Sequence, residues 1–332
     1  MKKTEKLKVA KPDLKSVKAI SINSPRIQDQ ALLVRVRIKR WSNAVTDKNL
    51  TSVVETDQRV TRKRLIRVRK TLLGAPAVKA LSKLAGNIRN NVVGKLTIPW
   101  NEDGVRLIPV KLLEQFEQEL ATAIDRWDEL LVELGNDYEG AIEDARNDLA
   151  DAFDIDDYPS KDDILSRYSI HLEEASLPVA GDLRVSLPQE KLDALREQVE
   201  TQLQSRIEDA MQSLHERLTD TLKHLIDRLD AFGVDAKSGK SVGVFRDSTV
   251  KNLNELIELL PLMNIAGDAR IATATDELHA QLRNLNPEAL RQNEGHRQDV
   301  SKKAKSIMAK MAGFYDLSTA IDKWEGPEKD AS

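Results

Sequence analysis

Two long stretches of the chain repeat hydrophobic residues at the period of an α-helix. Residues 110–152 carry an apolar stripe from Leu113 to Leu149 with about 3.6 residues per step, the period of a straight helix. Residues 189–232 carry a similar stripe at about 3.7 residues per step, with no Gly or Pro inside the run. Because each helix has one apolar face to bury, we predict that they pack antiparallel as a long, coiled-coil-like helical hairpin over 110–232.

Alternation of apolar and polar residues predicts a small β element. In residues 31–41, β-branched side chains alternate with Arg and Lys, which is the pattern of a half-buried strand. Shorter alternating runs occupy 168–172 and 183–187, with turn-forming Pro and Gly between them. We predict that these two runs form an antiparallel β-hairpin that connects the long helices.

The same patterns divide the chain into successive parts. They are a disordered basic arm (1–30), a basic α/β region (31–109), the long helical hairpin with its β-hairpin connector (110–232), a C-terminal helical region (244–315) and a tail (316–332). In the C-terminal region, periodicity and capping residues predict helices at 247–263, 268–284 and 296–312. The predicted fold class is mainly α, with a small antiparallel β element and a C-terminal helical part.

Charge is distributed unevenly along the chain. The net charge is only −3, but residues 1–100 carry 24 Lys and Arg against 6 Asp and Glu. Residues 101–200 carry 9 Lys and Arg against 27 Asp and Glu. Blocks of this kind govern what a protein attracts and how its copies meet, so they indicate a mode of interaction rather than a reaction.

The basic third is the strongest candidate for a binding surface. Nucleic-acid binding depends on neutralising phosphates with many Lys and Arg side chains on one face. The candidate residues for contact with DNA or RNA are Arg35, Arg37, Lys39, Arg62, Lys63, Arg64, Arg67, Arg69 and Lys70. Trp41 and Trp100 are candidates for stacking on unpaired bases, although both fit equally well as core residues.

An alternative interpretation is that other parts of the protein neutralise these charges. The acidic helix at 114–151 lies next in sequence and could pair with the basic third in the same molecule or in a neighbouring copy. In the second case the protein would be an adaptor or a self-assembling subunit. Both interpretations remain open on the sequence alone.

Candidate chemistry is sparse. There is no Cys, which excludes disulfides and thiolate sites and fits a reducing cytoplasm, and no apolar run is long enough to span a bilayer. No two histidines have the spacing of a helical zinc site, and Gly233 to Ser241 has one residue too many between its glycines for a phosphate-binding loop. We therefore predict no cofactor, no metal and no enzymatic activity.

Several short phrases resemble a family of uncharacterised, mostly helical proteins of tailed phages and mobile elements. They are Trp41-Ser42, Leu96–Trp100, Gly104–Pro109, Asp157–Ser160, Leu177–Val185, Phe245–Ser248 and Leu259–Pro261. Bacterial relatives in that family are encoded beside MoxR-type AAA+ ATPases and von Willebrand factor A proteins. The resemblance covers about residues 31–315 and implies an accessory role in a phage or mobile element, but it implies no catalytic residues.

Taken together, the sequence predicts a non-enzymatic interaction scaffold in the cytoplasm, which would be the cytoplasm of a host cell if the resemblance holds and a phage encodes the protein. Nucleic acid bound through the basic third is the leading hypothesis for its partner. The alternatives are an adaptor or self-assembling subunit working with an AAA+ ATPase and von Willebrand factor A partner, or a structural protein of the virion.

Overall fold

The computed structural model describes residues 27–62, 65–182, 187–234 and 241–322. The strands are β1 (Ala31–Lys39), β2 (Ala44–Asp47), β3 (Val68–Thr71), β4 (Ile98–Pro99), β5 (Arg106–Pro109), β6 (Ser169–Ser176), β7 (Gly233–Val234) and β8 (Ser241–Val242). The helices are α1 (Lys48–Asp57), α2 (Pro76–Asn87), α3 (Gly94–Leu96), α4 (Val110–Leu149), α5 (Lys161–Ser166), α6 (Gln189–Ala231), α7 (Asp247–Met263), α8 (Ala269–Leu282), α9 (Pro287–Gln292) and α10 (Glu294–Asp322).

These elements confirm a mainly helical protein with a small antiparallel β element. The helix predicted at 247–263 has those bounds in the structure, and the two long helices end within three residues of their predicted ends. The predicted strand at 31–41 is β1. The apolar period is therefore a reliable guide to which segments are helical, because each buried face requires it.

The main sheet is built around β1. Its strands lie in the order β4-β5-β1-β6, and every pairing is antiparallel. The β-branched side chains that alternate along β1 include Val34, which is buried, whereas Arg37 and Lys39 near its end are exposed. The sheet thus presents the polar C-terminal end of β1 to solvent.

Within the described residues, the first run of the predicted β-hairpin connector pairs with β1. This run becomes β6, which pairs along its whole length with β1, from Leu32 opposite Ser176 to Lys39 opposite Ser169. Most of the second run, 183–186, lies outside the described residues. The backbone N–H and C=O groups of a strand need a partner edge, and β1 supplies one along the whole length of β6.

The predicted pairing of the two long helices is wrong. Within the described residues, α4 and α6 do not pack along each other: α4 packs on α2, and α6 packs on α7 and α10. An apolar stripe shows that a helix has a face to bury, but many helices in this chain have such a face. The partners are therefore chosen by topology, since β6 returns to the sheet between the two long helices.

One apolar core runs through most of the molecule and reaches from Ile27 to Met311. It contains the sheet, the first half of α4, and α6 packed with α7, α8 and α10. Another core lies between α2 and the second half of α4, around Trp127 and Tyr138. Among the described helices, none has the combination of length and apolar composition needed to cross a membrane.

The predicted basic arm 1–30 is outside the described residues up to position 26, and the predicted tail 316–332 is outside from position 323. The last residues of that predicted arm, Ile27–Asp29, form a turn of 3₁₀ helix, and Ile27 is buried.

Candidate functional site

The candidate arginines on β1 are partly neutralised by the neighbouring strand. Arg35 lies opposite Glu173 in the register of β1 and β6. Arg37 Nε lies 3.0 Å from Glu173 Oε1, and both side chains are half exposed. Lys39 lies opposite Ser169 and remains exposed. Because exposed ion pairs are weak, Arg37 remains available for contact with an anion.

Lys70 is not on the surface. Its side chain is 9% exposed, and its Nζ lies 2.8 Å from Asp157 Oδ2 and 3.8 Å from Asp47 Oδ2. The ammonium group also donates to the carbonyl oxygen of Ala152 at 2.6 Å. These contacts saturate Lys70 inside the fold, so it cannot serve as a phosphate contact.

The other candidates near β3 have mixed positions. Arg62, Arg67 and Arg69 are exposed. Lys63 and Arg64 lie outside the described residues. Trp41 and Trp100, the candidates for base stacking, are both buried and therefore belong to the cores.

The acidic helix does not occupy the basic third. Within the described part of the chain, the carboxylates of α4 form ion pairs only with arginines of α4 itself, Arg126 and Arg146. Within the described residues, the carboxylates from later parts of the chain that pair with the basic third are those of Glu173 on β6, Asp157 in the acidic turn that follows α4, and Glu255 on α7. Neutralisation is thus local, and it leaves most of the basic surface and the acidic face of α4 exposed.

A basic groove of about 840 Å³ lies where α6, α7, β5 and the segment after α2 meet. We call it the basic groove and define it by the charged residues that line it, which are Arg89, Lys95, Arg106, Arg217, Lys251 and Glu255. Most of the other lining side chains are polar, among them Asn91, Thr221, Ser248 and Asn252. One carboxylate therefore faces five cationic side chains.

Arg106 forms part of the floor of the basic groove. It lies on β5, where its Nη2 donates to the carbonyl oxygen of Thr97 at 3.1 Å and its Nε donates to the hydroxyl of the same residue. Burial, followed by the positive charge of nearby Arg217, lowers the pKa of the Arg106 guanidinium below its usual range. The two contacts with Thr97 hold this guanidinium in place by dipoles.

Arg217 reaches the same floor from α6. Its Nη1 donates to the carbonyl oxygen of Gly94 at 3.4 Å and lies 3.7 Å from the Sδ of Met263. Burial lowers the pKa of this guanidinium as well. Among the described residues, neither Arg106 nor Arg217 has a carboxylate within ion-pairing distance.

The rim of the basic groove carries the remaining charges. Lys95 Nζ lies 2.9 Å from Glu255 Oε2, and Lys251 Nζ lies 3.9 Å from Glu255 Oε1. Arg89 is exposed, and its Nη2 lies 3.5 Å from the carbonyl oxygen of Ile38 at the end of β1. Since Lys39 follows Ile38, Arg89 joins the groove to the basic end of β1, which was predicted from the sequence.

The backbone of the groove wall has an unusual conformation. After α2, residues Ile88–Val93 form a π-helical segment that leads directly into α3. A Cβ atom at Gly94 would lie 2.9 Å from the carbonyl oxygen of Arg89, closer than side-chain carbons ordinarily come. Glycine is therefore required for this turn, which places Arg89 and Lys95 on the same groove. Short π-helical segments occur often at functional sites.

The basic groove was not predicted from the sequence, because its residues come from distant segments. Arg106 lies in a turn-rich connector, and Arg217 belongs to a helix whose overall charge is unremarkable. One signal was present: Arg217 and Thr221 lie beside Leu214 and Leu218, at the edge of the apolar stripe of α6. An arginine at the margin of a buried face is a candidate for a recessed charge.

A separate polar cluster is structural. Asp268 is buried, caps α8 by accepting from the Arg270 backbone N–H at 2.8 Å, and pairs with the Arg270 guanidinium at 2.6 Å. Its Oδ2 lies 3.6 Å from Nε2 of the buried His215. Burial alone would raise the pKa of Asp268, but His215 and Arg270 outweigh it and hold the pKa well below its usual range. This cluster ties α6 to the start of α8.

Within the described residues, no cluster of His, Asp and Glu is arranged to hold a metal ion. Gly233-Val234 pairs with Ser241-Val242 as two short strands, so a strand follows the glycine-containing loop where a phosphate-binding loop needs a helix. Residues 235–240 of that loop lie outside the described residues.

Comparison of the chain with protein-family models, with curated proteins and with solved structures gave no match.

Proposed function

We propose that this protein is a non-enzymatic scaffold that binds nucleic acid, with the basic groove as its main contact surface for phosphates. The contact surface extends through Arg89 to Lys39 at the end of β1. This modifies the sequence-based hypothesis, because it replaces the buried Lys70 and adds charges from α6 and α7.

The observation that carries the proposal is the pair of guanidiniums on the groove floor. Among the described residues, Arg106 and Arg217 line one groove with no carboxylate paired to either, which is unfavourable in the free protein because burial opposes both charges and Arg217 repels Arg106. A bound polyanion removes this cost. Arginine is also the side chain best suited to phosphate oxygens, because its planar fork can donate two parallel hydrogen bonds.

The biological setting that we propose follows from the family resemblance. A phage or mobile-element accessory protein acting in the cytoplasm of its host would meet DNA and RNA during replication or recombination. An AAA+ ATPase with a von Willebrand factor A protein would be a second partner in that setting. Neither partner requires a catalytic centre in this chain.

Fluorescence anisotropy with a labelled single-stranded oligonucleotide and its duplex tests the proposal. We expect binding that weakens steeply between about 50 and about 200 mM salt, because counterions are released when phosphates are neutralised. In an Arg89→Ala, Lys251→Ala double variant, the dependence of log K on log salt should become shallower by about 0.7 to 0.9 for each phosphate that is no longer neutralised. Both side chains are exposed, so the fold should tolerate this change.

The matched control removes two positive charges elsewhere. Lys302→Ala, Lys303→Ala lies on α10, outside the groove, and should leave affinity and salt dependence close to those of the unmodified protein. Binding that does not change with salt, or a groove variant that behaves like the α10 variant, would refute the proposed surface.

A second candidate function is a self-assembling adaptor. The observation in its favour is that the α4 carboxylates and the basic groove are both exposed and, in the described residues, not paired with each other. Copies could therefore associate through these two surfaces. Light scattering without nucleic acid distinguishes this function, because assembly through charge should depend on salt in the absence of any oligonucleotide.

A further inference from the structure

The floor of the basic groove has spare hydrogen-bond donors. Each guanidinium carries five N–H donors. Arg106 uses its Nε and one terminal nitrogen on Thr97, and Arg217 uses one terminal nitrogen on Gly94. The remaining donors of both side chains belong to a groove lined by polar groups. Two planar forks that line the same groove offer donors that suit the oxygens of a tetrahedral anion.

The charge at this point favours a dianion. The one carboxylate of the groove, Glu255, is engaged with Lys95 and Lys251 at the rim. Arg106 and Arg217 therefore leave two positive charges to be balanced on the floor. An internal phosphodiester brings one negative charge, whereas a phosphate monoester brings close to two at neutral pH.

The depth of the groove floor also favours a phosphate monoester over an internal phosphodiester. Lys251 at the rim is 74% exposed, whereas Arg106 and Arg217 are half-buried below it. An internal phosphodiester carries a sugar on both sides, so both sugars would have to enter the groove with it. A terminal phosphate carries a sugar on one side and can reach the floor alone.

We propose that Arg106 and Arg217 form a subsite for the terminal phosphate monoester of a nucleic-acid strand, so that the protein distinguishes phosphorylated strand ends from internal phosphates. This inference rests on the proposed function, because it assigns a particular group of the nucleic acid to one part of the basic groove.

The test compares two oligonucleotides of one sequence, one ending in a phosphate and the other in a hydroxyl. We expect the unmodified protein to bind the phosphorylated strand about tenfold more tightly, as charge-assisted hydrogen bonds to a recessed phosphate should provide. Arg217→Gln should abolish this preference, so that both strands bind with one affinity, lower than that of the unmodified protein for the hydroxyl strand because the groove has lost one charge. Arg217→Lys, which keeps the charge but loses the fork, should retain part of the preference.

Arg206→Gln is the matched control. Arg206 lies on the same helix and also donates to a backbone carbonyl, that of Trp100 at 3.4 Å, but it does not line the groove. It should keep the full preference. Thermal unfolding of each variant shows whether the fold is intact. If Arg217→Gln is unfolded, the double variant Arg106→Lys, Arg217→Lys replaces it as the test. This variant keeps both charges but loses both forks, so its preference for the phosphorylated strand should fall.

The outcomes separate the subsite from the proposed function. Equal affinity for the two oligonucleotides in the unmodified protein would overturn the subsite and leave nucleic-acid binding standing. If neither oligonucleotide binds at about 50 mM salt, the proposed function fails. A titration with a mononucleoside monophosphate then decides the subsite. A rise in the unfolding temperature that Arg217→Gln removes would support a phosphate site for a small molecule, and no rise would overturn the subsite.

Discussion

At the scale of single residues, Arg69 and Lys70 show why a count of charges overstates a binding surface. They are neighbours on β3, and because successive side chains of a strand point to opposite faces, only Arg69 is exposed. Lys70 points inward, where Asp157 and Asp47 surround its ammonium group. Its charge stabilises the contact between β3 and the acidic turn after α4, and it contributes nothing to the surface potential.

Lys70→Met should destabilise the protein by about 3 kcal/mol, since it keeps most of the side-chain volume but leaves Asp157 largely buried without its partner. Urea unfolding measures this loss as a lower midpoint with an unchanged slope. Adding Asp157→Asn to the variant should recover part of the loss, because the unpaired charge is then removed.

The neighbouring Arg69→Ala is the control. It removes the same charge from the same strand but from the exposed face, so its effect on unfolding should stay within about 0.5 kcal/mol. If Lys70→Met were as stable as Arg69→Ala, the inward ion pairs would not contribute to the stability of the fold, and Lys70 would return to the candidate interface.

At the scale of elements, the π-helical segment Ile88–Val93 shapes the wall of the basic groove. Its wider turn allows Arg89 to reach the end of β1 while Lys95 reaches α7. Gly94 closes this segment at a place where a side chain would meet the carbonyl oxygen of Arg89 at 2.9 Å. The groove therefore depends on a backbone conformation as well as on charged side chains.

Gly94→Ala should lower the stability of the protein, whereas a glycine-to-alanine change in a helix usually raises it. In an ordinary helix interior this substitution stabilises by about 0.5 to 1 kcal/mol. Here the contact with backbone requires the π-helical segment to shift, so we expect lower stability and a several-fold loss of oligonucleotide affinity without any change in charge. Circular dichroism during urea unfolding and fluorescence anisotropy measure the two effects.

Gly86→Ala provides the comparison, because Gly86 lies near the end of α2 and a Cβ there would meet nothing within 4 Å. That variant should be slightly more stable than the unmodified protein and should bind oligonucleotide equally well. Equal behaviour of the two variants would show that the wall does not depend on the glycine at position 94.

The helices also show which features of the fold can be predicted from the sequence and which cannot. The bounds of α6 and α7 follow from apolar periodicity, because burial of one face requires that period. The pairing of α4 with α6 does not follow, since a stripe of leucines fits several partners equally well. α1 has no buried residue, so no apolar pattern indicated it.

The basic groove was beyond prediction for a related reason. Arg106 and Arg217 come to line one groove only when β4 packs on α6 and β5 packs on α7, and these contacts depend on helix partners that the pattern left undetermined. Density of Lys and Arg along the chain identified the exposed ends of β1 and β3 instead. Charge patterns predict surfaces made by one segment, whereas this site is made by several.

At the scale of the whole molecule, acidic and basic charges remain on separate surfaces. Within the described residues, the basic third forms its ion pairs with later parts of the chain through β6, the acidic turn and Glu255 of α7, and α4 keeps an exposed acidic face. Two copies can therefore attract each other through the groove of one and α4 of the other. Nucleic acid and α4 would compete for the same cationic side chains.

We expect weak self-association at about 50 mM salt that disappears by about 200 mM, because screening shortens the range of these attractions. Light scattering should show a mass above that of the monomer only at low salt. A Glu117→Lys, Asp128→Lys variant, which reverses two exposed charges of α4, should remain monomeric at both concentrations. A Glu197→Lys, Glu200→Lys variant reverses the same number of charges on α6 and should still associate.

Because both α4 of a second copy and nucleic acid need the groove, excess oligonucleotide should return the unmodified protein to monomers. Association that survives high salt, or that oligonucleotide strengthens, would show that copies meet through another surface.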